Sequence, residues 1–362
     1  MPTIRDVARR AGVAPITASR VLNSPETVSA PTRERVKEAI EELGYVQNRV
    51  ARSLRLKRTH TLALVVTDIA NPFWTTVVRG VEDAAQGAGY NVILCNTDES
   101  EAKQQRHLDV LLQKQVDGIL LVPAGTSTEL GDWIRKQSTP IVVLDRRVRS
   151  AQVDFVCGDS EGGAYQLTRH LLSLGHRRIA VLTGPRQVST AEERVTGYRR
   201  ALAEAGLQIR PDWVRYGDYS QESGCEMAQQ VLATTPRPTA LFAANNVIAV
   251  GALRALRQAG LRVPEDLSVV AFDDMTSGLM VEPFLTVVDQ PAYEMGQRAT
   301  ELLLARLSGS ATEIYQEIVL PAELSVRRSS SPCASIGQLV YTLPEAIAQG
   351  EEVVHGKIAG VG

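Results

Sequence analysis

Polar side chains with planar hydrogen-bonding groups follow the apolar runs of residues 61–328 at most places where such a run ends. Carboxylate, amide and guanidinium groups each present two coplanar polar atoms, so one group can bind two adjacent hydroxyls. Aromatic side chains occur in similar positions, where a ring can pack against the C–H face of a sugar. The candidate ligand-binding residues are Asn71, Phe73, Trp74, Asp145, Arg146, Arg194, Tyr219, Asn245, Asp273 and Gln290.

The apolar runs that precede these residues are short and rich in β-branched residues, and amphipathic helical stretches separate them. Examples are TLALVVT at 61–67, PIVVLD at 140–145 and LSVVAF at 267–272. Such runs are typical of parallel strands buried on both faces by helices. In open α/β sheets, ligands bind beyond the carboxyl ends of the strands, which is where the candidates fall. About 270 residues exceed the usual size of one such sheet, so we predict two lobes.

Several candidates also have a purely structural explanation. Asp145 and Arg146 could form an ion pair within a loop, and Asn245 could cap the helix that follows it. Phe73 and Trp74 could belong to the hydrophobic core. The shared position of the candidates after strand ends favours a common ligand site over these separate explanations.

The first 60 residues are basic, unlike the chain as a whole. They contain twelve Lys/Arg and six Asp/Glu, a net charge of +6, whereas the full chain carries −2. A basic segment on an otherwise acidic chain suggests a polyanionic partner. A solvated helical surface would have the same composition, so charge alone does not decide between the two.

The same segment shows the start and stop signals of short helices. Thr3 and Asp6 form the pattern of a capping box, and Gly12 can end the helix that follows. A second helix is predicted to begin at Pro15, and a third to span about residues 32–43. Two short helices joined by a tight glycine turn are typical of a helix-turn-helix, whose second helix enters the major groove of DNA.

The outward face of the second helix offers groups suited to DNA. A guanidinium can bind guanine or a phosphate, and an aliphatic side chain can contact a thymine methyl group. Hydroxyl and amide groups can bind phosphates. The candidate DNA-binding residues of this helix are Pro15, Ile16, Thr17, Ser19, Arg20 and Asn23.

Residues 48–55, NRVARSLR, place Leu54 among arginines. Eight residues are too few to hold a helix alone in water. If the segment folds on DNA, Leu54 can wedge between base pairs in the minor groove. The other explanation is a charged linker with an exposed leucine, and the residues alone leave both open.

Residues 3–58 resemble the DNA-binding head of the lactose/galactose repressor (LacI/GalR) family. The similar stretches are TIRDVARRAGVAPITASRVLN, VSAPTRERVKEAIEELGY and NRVARSLR. The resemblance implies that the second helix reads the major groove. It also implies a hinge helix that pairs with its twin in a homodimer on a pseudo-palindromic operator. The resemblance further implies that Leu54 would enter the minor groove and that Arg55 would contact bases.

This head departs from the family pattern in two places. Gln47 stands where the family usually has proline, and Ala14-Pro15-Ile16 replaces a run usually rich in serine and threonine. We therefore expect the hinge to be entered by a less rigid segment. The operator sequence of a relative does not transfer to this chain.

Residues 61–328 resemble the sugar-sensing domain of the same family, which shares the two-lobed fold of periplasmic sugar-binding proteins. The similar stretches are NPFW, LDRR, ERVTGY, GDY, FAANN, AFDD and VDQP. The resemblance implies that the candidate residues bind ribose or a similar aldose. Trp74 stands where ribose binders commonly have phenylalanine, which leaves the exact sugar open.

We therefore predict an α/β protein that joins an N-terminal all-α helix-turn-helix head to a two-lobed body like that of periplasmic binding proteins. Family members usually end near Arg328, so a poorly ordered tail is expected after it. The predicted domains are a DNA-binding domain at 1–47, a hinge helix and linker at 48–60, a sugar-binding and dimerisation domain at 61–328, and a tail at 329–362.

Other classes of protein lack support. No Walker loop, HExxH, GxSxG or GxGxxG after a strand occurs, so we expect neither an enzyme nor a cofactor or metal. No uncharged apolar stretch of membrane-spanning length and no N-terminal secretory pattern occurs, so we expect a cytoplasmic protein with no membrane partner.

The function predicted from these features is transcriptional regulation, most simply repression. The affinity for operator DNA would be controlled by a small sugar, ribose or a similar aldose. Two alternatives stay open: a regulator of the same kind that senses a purine or a partner protein, and a sugar-binding protein without a role on DNA.

Overall fold

The computed structural model describes most of the chain. The candidates Leu54 and Arg55 lie outside the described residues, as does most of the predicted hinge. The described ranges are 2–46, 58–125, 128–149, 151–275 and 283–333.

Three helices and one 3₁₀ turn form the N-terminal head. The helices are α1 (Ile4–Ala11), α2 (Pro15–Asn23) and α3 (Ala30–Leu43), and the 3₁₀ turn spans Pro25–Thr27. Val7, Ala18 and Val36 come from the three helices in turn, and all are fully buried in one cluster. This shared core stabilises helices of eight and nine residues, which are too short to be stable alone.

The ends of α1 follow the pattern in the sequence. The Thr3 N–H donates to Asp6 Oδ2 over 2.9 Å, which completes the predicted capping box. Gly12 has φ +64°, the left-handed conformation that lets a glycine end a helix without a Cβ clash. Both predictions are confirmed. α3 begins slightly earlier than predicted, at Ala30, because its first turn accommodates Pro31.

A six-stranded sheet with helices on both faces forms the first lobe of the body. Its elements are β1 (Thr61–Val66), α4 (Pro72–Gly87), β2 (Asn91–Asn96), α5 (Glu101–Gln113), β3 (Gly118–Leu121), α6 (Thr128–Arg135), β4 (Ile141–Leu144), β5 (Asp154–Gly158), α11 (Ala292–Ser308) and β11 (Glu317–Leu320). The order is β11-β5-β4-β3-β1-β2, and all neighbours are parallel. Leu64 and Val65 belong to core clusters on opposite faces, as a doubly covered sheet requires.

The second lobe repeats this architecture. Its elements are α7 (Ser160–Ser173), β6 (Ile179–Thr183), α8 (Ser189–Glu204), β7 (Val214–Tyr216), α9 (Gln221–Leu232), β8 (Ala240–Ala243), α10 (Asn246–Gln258), β9 (Ser268–Phe272), β10 (Thr286–Asp289) and β12 (Glu323–Ser325). The order is β12-β10-β9-β8-β6-β7, which matches the first lobe strand for strand. The lobes differ at one edge, because β12 runs antiparallel to β10.

The end of the described chain belongs to the second lobe. Ser329, which we assigned to the tail, is fully buried; its N–H donates to Phe284 O and its carbonyl accepts from the Val269 N–H. The Cys333 N–H donates to Leu174 O over 2.8 Å. The backbone is thus bonded to this lobe as far as Cys333. The rest of the predicted tail, residues 334–362, lies outside the described residues.

Helices α4 and α11 approach each other closely because each has a glycine at the contact. A Cβ built on Gly80 of α4 would lie 2.1 Å from Tyr293 O of α11. A Cβ on Gly296 of α11 would lie 2.3 Å from Val77 O of α4. Helix α4, whose first turn contains Phe73 and Trp74, is therefore positioned by close packing of its backbone against that of α11.

We expect Gly80→Ala to lower the free energy of unfolding by about 1–3 kcal/mol, because the added methyl group must push the α11 backbone away. Gly87→Ala, in the last turn of α4, is the matched control, since a Cβ there meets nothing within 4 Å. Alanine is preferred to glycine in a helix by about 1 kcal/mol, so the control should be at least as stable as wild type. Urea unfolding followed by circular dichroism measures both, and two equally stable variants would contradict the close packing.

Candidate functional site

Asp273 and Gln290 follow the carboxyl ends of the adjacent strands β9 and β10. Gln290 Nε2 donates to Asp273 Oδ1 over 2.6 Å, and the Asp273 N–H donates to Val288 O over 2.8 Å. Asp273 has φ +65°. Left-handed backbone is uncommon outside glycine and clusters at functional sites.

Arg194 of α8 lies beside this pair and is 4% exposed. Its guanidinium stacks on the ring of Phe272, with Cζ 3.8 Å from the centroid. Arg194 Nη1 lies 3.8 Å from Asp273 Oδ2 and donates to Ala244 O. The opposite charges offset part of the cost of burying each group.

Asn245 and Tyr219 are held at two other strand ends of the second lobe. Asn245 Oδ1 accepts from the Ile248 N–H over 2.8 Å, so Asn245 caps α10 as its structural explanation proposed. The Tyr219 ring packs on Gly184, where a Cβ would lie 2.2 Å from the ring. The ring position therefore depends on the missing side chain at residue 184.

Five buried side-chain atoms in this lobe have no hydrogen-bond partner within the described part of the chain, and two of the five belong to candidate ligand-binding residues. These two are Arg194 Nε, a donor, and Gln290 Oε1, an acceptor. Leaving such an atom unsatisfied costs about 1–3 kcal/mol. A bound molecule that offers both an acceptor and a donor would satisfy the two atoms.

Asp145 and Arg146 follow β4 in the first lobe and repeat the pattern of the second. Asp145 has φ +62°, and its N–H donates to Val156 O on the adjacent strand over 2.8 Å. Arg146 Nε lies 3.8 Å from Asp145 Oδ2, and both side chains are buried. Each lobe thus has one left-handed aspartate at the end of its fourth strand with a buried arginine 3.8 Å away.

Glu99 is a residue of this group that the sequence analysis missed. Arg146 Nη1 donates to Glu99 Oε2 over 2.5 Å, and Arg146 Nη2 donates to Glu99 Oε1 over 2.7 Å. Glu99 precedes α5 in a polar turn rather than following an apolar run directly. The only signal in the sequence was the TDES turn after β2.

Asn71, Phe73 and Trp74 lie at the start of α4. Asn71 Oδ1 accepts from the Phe73 N–H over 3.0 Å and caps the helix. The Phe73 and Trp74 rings meet edge to face with centroids 4.8 Å apart, and both belong to the core between the sheet and α11. Their structural explanation as core residues is supported, and a role in ligand binding stays a prediction.

The candidate DNA-binding residues of α2 differ in exposure. Pro15, Ile16, Arg20 and Asn23 are exposed, and Ile16 keeps 63% of its surface. Thr17 and Ser19 are half-buried. Asn23 Nδ2 donates to Ser19 O over 2.7 Å, which stabilises the last turn of the helix.

The described helices include none with the length and the apolar composition that a membrane span requires.

Profiles of one family match both parts of the chain. Residues 3–48 match "Bacterial regulatory proteins, lacI family". Residues 59–325 match "Periplasmic binding proteins and sugar binding domain of LacI family". The two matches support the division into a DNA-binding head and a ligand-binding body.

Similar proteins have the same organisation. The HTH-type transcriptional repressor PurR of Photobacterium profundum is 37% identical over 91% of this chain and 98% of its own length. A structure of the transcriptional regulator CelR with cellobiose is 39% identical, with a TM-score of 0.70, and covers 91% of this chain and 100% of its own.

Two further structures show other states of such proteins. The Lac repressor dimer bound to operator and the anti-inducer ONPF is 31% identical, with a TM-score of 0.80, over 91% of this chain and 99% of its own. A LacI family regulator from Enterococcus faecium with bound ribose is 32% identical, with a TM-score of 0.66, over 75% of this chain and 99% of its own. The predicted fold class and family are confirmed. The chain belongs to the LacI family and is a DNA-binding transcriptional repressor, not an enzyme.

Proposed function

We propose that this repressor acts in the cytoplasm as a homodimer on a pseudo-palindromic operator. Helix α2 would read the major groove and the segment at 48–60 would pair with its twin. The support is the match to the Lac repressor, which was solved as a dimer on its operator. A two-fold symmetric protein suits a two-fold symmetric site.

The effector we propose is a purine. This chain is similar to a repressor named PurR over 98% of that protein's length, and other similar repressors have the same name. These relatives favour a purine over the ribose predicted from the sequence. The observation in the structure that carries the proposal is the pair of unpartnered buried atoms, Arg194 Nε and Gln290 Oε1. A purine ring has acceptor nitrogens and N–H donors in one plane, and its faces can stack on an aromatic ring such as Tyr219.

A neutral sugar is the second candidate, and two observations favour it. The Asp–Arg pairs of the lobes offer the planar paired groups that suit adjacent hydroxyls. Relatives that are 39% and 32% identical were solved with cellobiose and with ribose.

Control of DNA binding requires that the effector bind one form of the protein better than another. The proposed ligand-binding residues come from both lobes. An effector that binds one conformation of the body more tightly than another would shift the protein toward that conformation. Its binding would then change the affinity of the head for DNA.

Titration calorimetry of the full chain tests the class of effector. We expect hypoxanthine, guanine or adenine to bind and to change operator affinity in fluorescence anisotropy, because the buried donor and acceptor gain partners. Binding of ribose, xylose or cellobiose in place of every purine would establish the second candidate. If no molecule of either class binds, the proposed effector site is wrong.

A further inference from the structure

The guanidinium of Arg146 is engaged within its own lobe. Besides its two bonds to the Glu99 carboxylate, Arg146 Nη1 donates to Pro123 O over 3.1 Å, and its side chain is 4% exposed. Two parallel N–H···O bonds to a carboxylate use the same face of the guanidinium that binds a phosphate or a ligand carboxylate. Glu99 therefore takes the place of an anion at Arg146.

The charges around Arg146 disfavour a second anion. Asp145 and Glu99 are both acidic, and Arg146 is the one base among these three. An anionic ligand would thus meet net repulsion among groups that are largely shielded from water, where charges interact strongly.

The backbone at Glu99 is held in an unusual conformation. Glu99 has φ +57°, and its N–H bonds to Thr67 O over 3.3 Å. Left-handed backbone is rare for a glutamate and persists only where the surrounding structure fixes it. The turn before α5 therefore presents the Glu99 carboxylate to Arg146 at some cost in backbone energy.

We propose that Glu99 is a specificity-determining residue that keeps anions from Arg146, so that the effector is uncharged. The site would accept a free purine base or a neutral sugar and reject an anionic purine, a nucleotide or a sugar phosphate. This inference rests on the proposed function for its ligands. The pairing of Glu99 with Arg146 can be tested without any effector.

The first experiment compares neutral and anionic partners by calorimetry on the full-length protein. The pairs are hypoxanthine with urate, an anionic purine of similar size, and ribose with ribose 5-phosphate. In whichever pair binds, we expect the anionic member to bind at least about tenfold more weakly than the neutral member. An unfavourable interaction free energy of ~1.4 kcal/mol lowers the affinity tenfold. An anion that binds wild type within about threefold of its neutral partner would overturn the inference.

The second experiment uses Glu99→Gln with inorganic phosphate as the probe and thermal unfolding as the readout. The substitution frees the face of Arg146, so phosphate should raise the unfolding temperature of Glu99→Gln and leave wild type unchanged. Glu101→Gln, which removes an equal charge two residues further along the chain, is the matched control and should behave as wild type. If Glu99→Gln does not fold, Glu99→Asp replaces it, because the side chain of aspartate is shorter by one methylene group.

The two experiments separate the possible failures. If wild type binds no purine and no neutral sugar, the proposed effector is wrong, and the phosphate result alone decides the role of Glu99. No phosphate shift in Glu99→Gln, or an equal shift in Glu101→Gln, would overturn the exclusion by Glu99. The double variant Glu99→Gln/Arg146→Met should lose the shift, and a shift that survives there would show that Arg146 is not the anion site.

Discussion

Asp273→Asn is expected to abolish the response to effector and to leave operator binding without effector near the wild-type value. Asparagine keeps the size of the side chain and tolerates the φ of +65° found at residue 273. Its amide oxygen can still accept from Gln290 Nε2. The substitution removes the negative charge that lies 3.8 Å from the buried Arg194. It also replaces an oxygen that could accept a hydrogen bond from a ligand. Effector affinity should fall about tenfold to hundredfold, because a hydrogen bond to a charged group contributes about 1.5–3 kcal/mol.

Asp274→Asn is the matched control for this prediction. Asp274 is the next residue, but its carboxylate accepts two bonds from Arg327, at 2.8 and 2.6 Å. This variant should lose stability and keep its effector affinity within about threefold of wild type. Calorimetry with the effector and anisotropy with operator DNA measure both properties. An Asp273→Asn protein that binds effector as tightly as wild type would remove Asp273 from the site.

The strand ends could be predicted from the sequence because the signal is local. A run of β-branched residues followed by a polar residue is visible within about eight positions, and Asp145 and Asp273 were found in this way. Their left-handed backbone and their bonds to the adjacent strand could not be seen. These features depend on which strand lies alongside, and that neighbour comes from a later part of the chain.

Strand β5 could not be predicted in the same way, because its first residue is charged. Asp154 is 1% exposed in the structure and accepts two bonds from Arg306 of α11, at 2.6 and 2.9 Å. A residue 152 positions away thus makes a buried aspartate possible at the start of a strand. Without that partner the residue would be costly to bury, so the local sequence argues against a strand here.

Local sequence patterns also could not predict which segments of the chain belong to which lobe. Residues 291–320 return to the first lobe after the chain has built most of the second. Periodicity indicates that α11 is a helix, but the sheet that it covers is decided by contacts such as that between Gly80 and Tyr293. Glu99 was missed for the same reason, since its partner Arg146 is 47 positions away.

Arg20→Ala is expected to weaken binding to the specific operator by about tenfold to hundredfold, since a guanidinium bonded to a guanine edge contributes about 1–3 kcal/mol of discrimination. Arg20 is exposed on α2, the helix proposed to enter the major groove. Binding to unrelated duplex should fall much less, because it rests on phosphate contacts shared by many basic residues. The ratio of the two affinities should therefore collapse.

Arg9→Ala is the matched control, because Arg9 lies on α1 with 80% of its side chain exposed and forms a surface ion pair with Asp6. It removes the same charge from the head without touching α2. Anisotropy titrations at several salt concentrations, with an operator selected from random duplexes and a scrambled duplex, give both affinities. If Arg20 bonds only a phosphate, Arg20→Ala will weaken binding to the operator and to the scrambled duplex by the same factor, as Arg9→Ala does. That result would refute a base contact by Arg20.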